Sequence, residues 1–412
     1  MRAALAAMLL WWWASSPALA QDAAPIGELP RTAEPLSYQL HFILDPQADG
    51  YTAEASIRVR LHQAADHLWL HGRSLTITQA QWTDASGTQG SAQYQQVNDD
   101  GVARVDFGRE LAAQDLTLSF QFSGRYNRTL EGIYKVSRGG DDYLVTQLEA
   151  IAAREVFPCF DQPSFKTPFD LSLTVPEKLV AVANSRQVGD ERAAPGSKTL
   201  QFATTAPLPT YLLAFAVGPW EVSELSHVPA DAQRKHPLQL RVIGPRGSRA
   251  LLDYALKTTP AIVAELENYF GEAYPFDKLD LLAAPDFAFG AMENAGLIVY
   301  RESELLLDAR ASVETQQDYY LTNAHELAHQ WFGNDVTLRW WDDTWLNESF
   351  ASWMEGKIVD RIHPEWHAGV SELQTARAAM EEDSLISARR IREPIVQTSD
   401  IDAAFDNITS EK

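Results

Sequence analysis

Hydrophobic and polar residues alternate with a period of two over several short stretches between Ser37 and about Gly218. Every second side chain is apolar in residues 38–44, 55–61, 116–122 and 169–175. Strands with one buried face produce this alternation, and Asp, Gly, Ser and Pro cluster between the stretches, as at 46–50. The pattern predicts an all-β N-terminal domain of antiparallel sheets in a sandwich arrangement.

The alternation ends near Val217, and one more strand is predicted at 238–243 after a polar stretch. From Ser248 the apolar period changes to that of a helix. The residues on its apolar stripe are Leu251, Leu252, Ala255 and Leu256. Pro260 must either begin a new helix or kink this one. We therefore expect a domain boundary near residue 225, to within about ten residues.

These boundaries divide the chain into a β-rich domain at 21–225 and an α+β domain at 226–412. The second domain has a further strand-like segment at 279–282 and is predicted to be mainly helical from Val313 onwards. The predicted fold class is thus multidomain, with an all-β N-terminal domain followed by an α+β domain.

The most informative segment is His325-Glu326-Leu327-Ala328-His329, within a helical pattern that contains no Gly or Pro. Residues four apart lie on one face of a helix, so His325 and His329 can present two imidazoles to one metal ion. Glu326 lies about 100° round the helix, where it can reach a water at the ion without binding the ion. A helical His pair can also be a surface feature or a satisfied part of the core.

Glu348 is the expected third ligand, with residues 330–347 between it and His329. Two His and one carboxylate leave a fourth coordination position free, which is typical of a catalytic zinc site rather than a closed structural one. The pattern therefore predicts one Zn²⁺ per chain and hydrolytic chemistry, and it disfavours the purely structural interpretation of the His pair.

The net charge of −22 over 412 residues argues against nucleic acid or an anionic membrane as a partner, so we expect neither. Residues 1–20 have the pattern of a signal peptide: a positive start at Arg2, an apolar run, and small residues before Gln21. An uncleaved anchor is the alternative. We expect export to a periplasm or the cell exterior, with no membrane span in the mature chain. The one cysteine, Cys159, cannot form an intramolecular disulfide and is interpreted as a buried apolar residue.

A second motif, Gly290-Ala291-Met292-Glu293-Asn294, precedes the histidine segment. Together, the two motifs and Glu348 resemble the gluzincin aminopeptidases, the zinc enzymes typified by alanyl aminopeptidase, with leukotriene hydrolase as a relative. The resemblance extends over most of the mature chain. It implies a β-saddle N-terminal domain, a thermolysin-like catalytic domain and a C-terminal helical domain.

The resemblance also implies a role for each residue of the site. It makes His325, His329 and Glu348 zinc ligands, with Glu326 the general base. Its implied substrate-binding residues are Glu293 and Glu149 for the free α-amino group, Gln147 and Met292 for the pocket, and the backbone of Gly290 and Ala291 for the extended peptide. The implied activity is hydrolysis of the N-terminal peptide bond of peptides that have a free N-terminus.

Two features depart from the family pattern. The family's oxyanion-stabilising tyrosine corresponds to Ser410, whose hydroxyl is too short to replace a phenol; losing one such donor costs roughly a hundred- to a thousandfold in rate. The chain also stops at Lys412, so we expect a fragment or a truncated homologue with an incomplete catalytic domain. The alternative function is a catalytically silent metal- and peptide-binding chain; no residue supports an epoxide hydrolase.

Overall fold

The computed structural model describes residues 23–386, 388–405 and 409. The predicted signal peptide and Ser410 lie outside these residues. The strands of the first half are β1 Ala33–Ile43, β2 Gly50–Leu61, β3 Ala65–His71, β4 Thr76–Asp84, β5 Gln89–Ser91, β6 Gln93–Gln96, β7 Val102–Leu111, β8 Asp115–Arg125, β9 Gly132–Arg138, β10 Asp141–Gln147, β11 Phe169–Pro176, β12 Val180–Ala183, β13 Gln187–Ala194, β14 Ser197–Phe202 and β15 Phe215–Gly218.

These strands form three sheets among the described residues. The largest has the order β13-β14-β11-β1-β2-β8-β4-β5, and the others are β12-β15-β10-β9 and β3-β7-β6. The pair β1 and β11 is parallel, with Tyr38 opposite Phe169, whereas β1 and β2 are antiparallel. Alternate side chains of β1, β2, β8 and β11 are buried, as the period of two predicted.

The second half combines a mixed sheet with helices. Its elements are β16 Glu221–Val222, β17 Ser226–Val228, β18 Leu238–Gly244, α1 Leu252–Phe270, β19 Leu279–Ala284, β20 Ala291–Met292, β21 Leu297–Arg301, α2 Glu302–Leu305, α3 Val313–Ala328, α4 Thr344–Ile362 and α5 Ala368–Asp383. Strands β18, β19 and β21 are parallel, and β20 is antiparallel to β21. The predicted fold class is confirmed, and the helical region begins at Val313 as expected.

Helix α1 excludes one of the two alternatives predicted at Pro260. Pro260 lies inside a helix that continues from Leu252 to Phe270, so it does not begin a new one. Proline removes one backbone hydrogen bond, but Ala255 and Ile262 on either side of it are buried in the same core. Burial of both halves holds them in one helix, because tertiary packing contributes more to a helix than local propensity does.

The two halves share a core and several polar contacts. Strand β16 already pairs with β18, slightly before the predicted boundary at 225. The buried Lys278 ammonium donates to the carbonyl oxygens of Ala183 in β12 and Gly296, both at 2.7 Å. Lys166 donates to the carbonyl oxygen of Asn334 at 2.9 Å. These bonds fix the β-rich half against the loops that follow α3 and β20.

Two further predictions can be compared with the fold. Cys159 is buried in the β-rich half, and burial raises the pKa of its thiol, in agreement with a packing role. Within the described part of the chain, none of the helices has both the length and the apolar character that a membrane span requires.

Candidate metal and peptide site

The two histidines and the carboxylate predicted as metal ligands converge. His325 lies in the last turn of α3, His329 caps its C-terminal end, and Glu348 lies in the second turn of α4. The Nε2 atoms of the histidines are 3.0 Å apart. Oε2 of Glu348 lies 3.5 Å from Nε2 of His325 and 3.8 Å from Nε2 of His329. The packing of α3 against α4 therefore brings three donor atoms to one point.

The second ring nitrogen of each histidine, Nδ1, has a hydrogen-bond partner of its own. Nδ1 of His325 lies 2.8 Å from Oε2 of Glu355, and Nδ1 of His329 lies 2.9 Å from Oδ1 of Asn347. Both partners are hydrogen-bond acceptors, so each ring donates its Nδ1–H and turns the Nε2 lone pair towards Glu348. The tautomers follow from this network rather than from visible hydrogens.

This donor set fits zinc. Tetrahedral zinc with bond lengths of about 2.0–2.2 Å separates neighbouring ligand atoms by roughly 3.3 Å. The separations of 3.0, 3.5 and 3.8 Å among His325, His329 and Glu348 bracket that value. Two imidazoles and one carboxylate are also the donor types of an open catalytic zinc site. Together, the geometry and the chemistry of the three residues suit one zinc ion.

A second group of carboxylates lies next to the metal ligands. One carboxylate oxygen from each of Glu149, Glu293 and Glu348 lies within 4.8 Å of the other two. Glu149 follows β10 of the β-rich half, so this group contains residues from both halves of the chain. Oε1 of Glu149 is buried and has no hydrogen-bond partner among the described residues. Burial, followed by the charges of Glu293 and Glu348, raises the pKa of Glu149 well above its usual value.

The loop that carries Glu293 is held by the segment after the metal helix. Gln330 and Asn334 donate to the Glu293 carbonyl oxygen at 2.8 Å and 2.7 Å. The loop turns at Gly296, whose φ of +70° suits glycine and where a Cβ would lie 2.5 Å from the carbonyl oxygen of Asn184. The segment that follows the metal helix therefore also fixes the position of the second predicted motif.

Sequence comparison agrees with this arrangement. Residues 254–412 match the Peptidase family M1 domain, and residues 34–212 match the Peptidase M1 N-terminal domain. The chain belongs to peptidase family M1. The resemblance to the gluzincin aminopeptidases is therefore confirmed at the level of the family.

Several curated relatives of this M1 chain are aminopeptidases by name. It is 36% identical to aminopeptidase M1-D of Oryza sativa subsp. japonica, over 93% of this chain and 43% of the relative. The puromycin-sensitive aminopeptidase of Caenorhabditis elegans is 35% identical, and human endoplasmic reticulum aminopeptidase 1 is 33% identical, each over 93% of this chain and 41% of the relative. The M1 chain spans less than half the length of these relatives.

The candidate site of the M1 chain opens into a cleft of about 750 Å³ between its two halves. The predicted site residues that line this cleft are Glu149, Gly290, Ala291, Met292, Glu293, His325, Glu326, His329 and Glu348. A Cβ at Gly290 would meet no other atom, so the backbone there leaves room for a ligand. Gln147 is buried and is not among the lining residues. Its Nε2 lies 3.6 Å from Sδ of Met292, so it supports the wall and does not form it.

Glu326 of α3 is one of the residues that line the cleft. Its Oε2 is buried and has no hydrogen-bond partner within the described residues. Burial is the main cause that raises its pKa well above the usual value, and the charges of Glu293 and Glu348 add to it, while His325 opposes it. Burial also opposes ionisation of Glu348, but the hydrogen bond to His325 and the charges of His329 and His325 together outweigh burial and lower the pKa of Glu348. Of these two carboxylates, Glu326 therefore has the higher proton affinity.

Sequence reasoning missed two residues that hold the histidines, Glu355 and Asn347. Glu355 follows Glu348 by seven residues, a spacing that places both on one helical face, so this signal was present in the sequence. Asn347 precedes Glu348 directly, and no periodicity distinguishes it from a surface residue. Its role becomes visible only when α3 and α4 are packed together.

Proposed function

We propose that this M1 chain carries the site of a zinc aminopeptidase, which hydrolyses the N-terminal peptide bond of peptides with a free α-amino group. The observation that carries the proposal is the placement of three carboxylates within 4.8 Å of one another beside the histidine pair. His325, His329 and Glu348 would hold the metal. Bound zinc supplies a Lewis acid that polarises a carbonyl group and makes water more acidic.

Glu326 is the proposed general base. Glu326 lines the cleft beside the metal ligands, and burial raises its pKa, so its carboxylate binds a proton more readily than an exposed one does. It would accept the proton of the attacking water and deliver it to the departing amine. Such proton transfer contributes about 10²–10⁴-fold to a rate.

Glu149 and Glu293 are the proposed anchors of the substrate amine. Buried carboxylates close to one another repel, so a cation placed between them relieves a cost that an uncharged group cannot. A peptide with a blocked N-terminus would leave both carboxylates unpaired. The backbone at Gly290 and Ala291 borders the same cleft and is placed to bind the extended peptide.

The test combines metal analysis with hydrolysis of an alanyl anilide and its N-acetylated analogue. We expect one zinc per chain, turnover of the free amine only, and normal zinc content without turnover in Glu326→Gln. Equal turnover of the acetylated substrate would refute the exopeptidase proposal, and an active Glu326→Gln would refute the mechanism. Bound zinc without any turnover would favour the silent binding chain, which Ser410 in place of the family's tyrosine supports.

Export is a separate proposal. The positive, apolar and small-residue segments of 1–20 support a cleaved signal peptide. N-terminal sequencing of the protein recovered outside the cytoplasm should begin at Gln21. Recovery only in the cytoplasm, beginning at Met1, would contradict export.

A further inference from the structure

One amide lies between the candidate metal site and the candidate amine site. Asn347 is 2% exposed and lies in α4, one residue before Glu348. Its Oδ1 lies 2.9 Å from Nδ1 of His329, and its Nδ2 lies 3.3 Å from Oε1 of Glu293. A single side chain therefore contacts a proposed metal ligand and a proposed amine anchor.

Only one orientation of this amide satisfies both contacts. A carboxylate accepts hydrogen bonds and cannot donate them when ionised, so Nδ2 of Asn347 must face Glu293. The carbonyl Oδ1 then faces His329 and can only accept, which requires a proton on Nδ1 of the ring. The amide thereby presents the Nε2 lone pair of His329 towards the metal position and holds the Glu293 carboxylate from the opposite side.

The backbone leaves space for this amide at Gly333. Its φ is +131°, and a Cβ there would lie 2.1 Å from Oδ1 of Asn347 and 3.1 Å from Nδ1 of His329. Any other residue would displace the hydrogen-bonded pair, because contacts below 3.0 Å do not occur between real atoms of this kind. The turn after the metal helix is thus shaped around the contact between Asn347 and His329.

Other bonds around Glu293 restrict its main chain. Gln330 and Asn334 both donate to its carbonyl oxygen, which fixes where the residue lies. The contact from Asn347 reaches the carboxylate itself and so restricts the direction in which the charge points. Glu293 is 3% exposed, and a buried carboxylate depends on such donors for its orientation.

We infer that Asn347 is a positioning residue that joins metal binding to recognition of the substrate amine. The inference rests on the proposed function, because it assigns the amine to Glu293 and the metal to His329. Oδ1 of the amide, together with the Phe332 carbonyl oxygen 3.2 Å from the same Nδ1, fixes the tautomer and direction of His329, and Nδ2 of the amide orients the carboxylate of Glu293. Removing the amide should therefore weaken both metal binding and recognition of the substrate amine.

The test compares Asn347→Ala with Asn347→Asp. Zinc affinity is measured by competition with a chromophoric chelator, which does not depend on turnover. Loss of a residue that orients a metal-binding histidine typically costs 10–100-fold in affinity, and we expect this for Asn347→Ala. Asn347→Asp keeps an acceptor for His329, so its zinc affinity should stay within about threefold of the unchanged chain.

Recognition of the substrate amine is measured in a separate experiment. Alanine cannot donate to Glu293. In Asn347→Asp the new carboxyl group and Glu293 would share one proton, because two carboxylates at that distance cannot both stay ionised, so Glu293 loses part of the negative charge that binds the amine. The preference for an alanyl anilide over its des-amino analogue should fall about tenfold in both variants. If the chain binds zinc but has no turnover, binding of a free dipeptide against its N-acetyl form replaces this measurement.

Asn323→Ala is the matched control. Asn323 is also a fully buried amide of the metal helix, hydrogen-bonded to Tyr300, Tyr319 and Thr259, and among the described residues it forms no hydrogen bond with the proposed ligands. It should lower thermal stability and leave zinc affinity unchanged. Equal zinc affinity in all variants, or an equal loss in Asn323→Ala and Asn347→Ala, would overturn the inference.

The outcomes also separate this inference from the proposed function. An unchanged chain that binds zinc without hydrolysing the anilide overturns the aminopeptidase proposal, while the zinc affinities still decide whether Asn347 positions His329. An unchanged chain that binds no zinc overturns both. If Asn347→Ala does not fold, Asn347→Asp still tests the inference, because its zinc affinity should be retained while its preference for a free amine is lost.

Discussion

Replacing Glu149 by glutamine tests how the cleft recognises a free N-terminus. Glu149 reaches the site from the β-rich half, and its Oε1 is buried without a partner among the described residues. Burial and the nearby Glu293 and Glu348 raise its pKa. Glutamine keeps the size of the side chain and removes its negative charge, so the variant isolates the electrostatic part of recognition.

The expected magnitude follows from two opposing energies. An ammonium group about 4 Å from the carboxylate gains roughly 4 kcal/mol at an effective dielectric constant of about 20. In the empty site, Glu149 repels Glu293 across at most 4.8 Å, which at the same dielectric constant costs ~3.5 kcal/mol when both are ionised. Glutamine loses the attraction but also relieves the repulsion. The difference between the two energies is a net loss of roughly 0.5 kcal/mol, or about two- to threefold in kcat/KM for the substrate with a free amine.

The assay measures kcat/KM for alanyl anilide and for propionyl anilide, which has the same shape without the amino group. The loss in Glu149→Gln should fall on the alanyl substrate and spare the propionyl substrate. Glu54→Gln, which removes an exposed carboxylate on the large sheet, controls for the change in net charge. An equal loss on both substrates, or no loss on the alanyl one, would refute the reasoning.

Three further outcomes are expected. Glu355→Ala removes the acceptor for Nδ1 of His325, so zinc affinity measured by chelator competition should fall about 10–100-fold; an unchanged affinity would contradict it. Arg154→Met leaves the buried Asp161 carboxylate without its ion pair, and urea unfolding should show a loss of roughly 3–5 kcal/mol; near-neutral stability would contradict it. Burial, and then Arg154, lowers the pKa of His71 well below its usual value, so only the unfolded chain takes up this proton below about pH 6.5. Stability should therefore fall with decreasing pH by up to about 1.4 kcal/mol per pH unit, and urea unfolding of His71→Asn between pH 7 and 5.5 should show a smaller slope, whereas an equal slope would exclude His71 as the cause.

Much of the fold could be predicted from local sequence patterns. The period of two placed β1, β2, β8 and β11 and identified which of their faces is buried, because alternation is a property of the extended backbone itself. Local rules left two alternatives at Pro260, a new helix or a kink, and burial on both sides of the proline keeps the helix continuous despite one lost hydrogen bond.

The metal ligands were also predictable, for a geometric reason. The spacing of His325 and His329 fixes their relative direction through the pitch of one helix, and Glu348 follows at a distance the family pattern supplies. The same helical geometry also predicts that Glu355 lies on the same face as Glu348, one heptad further along the chain.

The sequence alone therefore determined the secondary structure, the metal-binding helix and the family, since each depends on neighbours along the chain. Only the tertiary structure decided that Glu149 meets Glu293 and that Asn347 bridges Glu293 to His329. It also decided that Gln147 supports the cleft wall and does not line it. These contacts join residues far apart in sequence, and their distances are set by how the β-rich half and the helical half bury one shared core. No local pattern encodes the direction of a side chain across such a junction, because that direction is the result of packing.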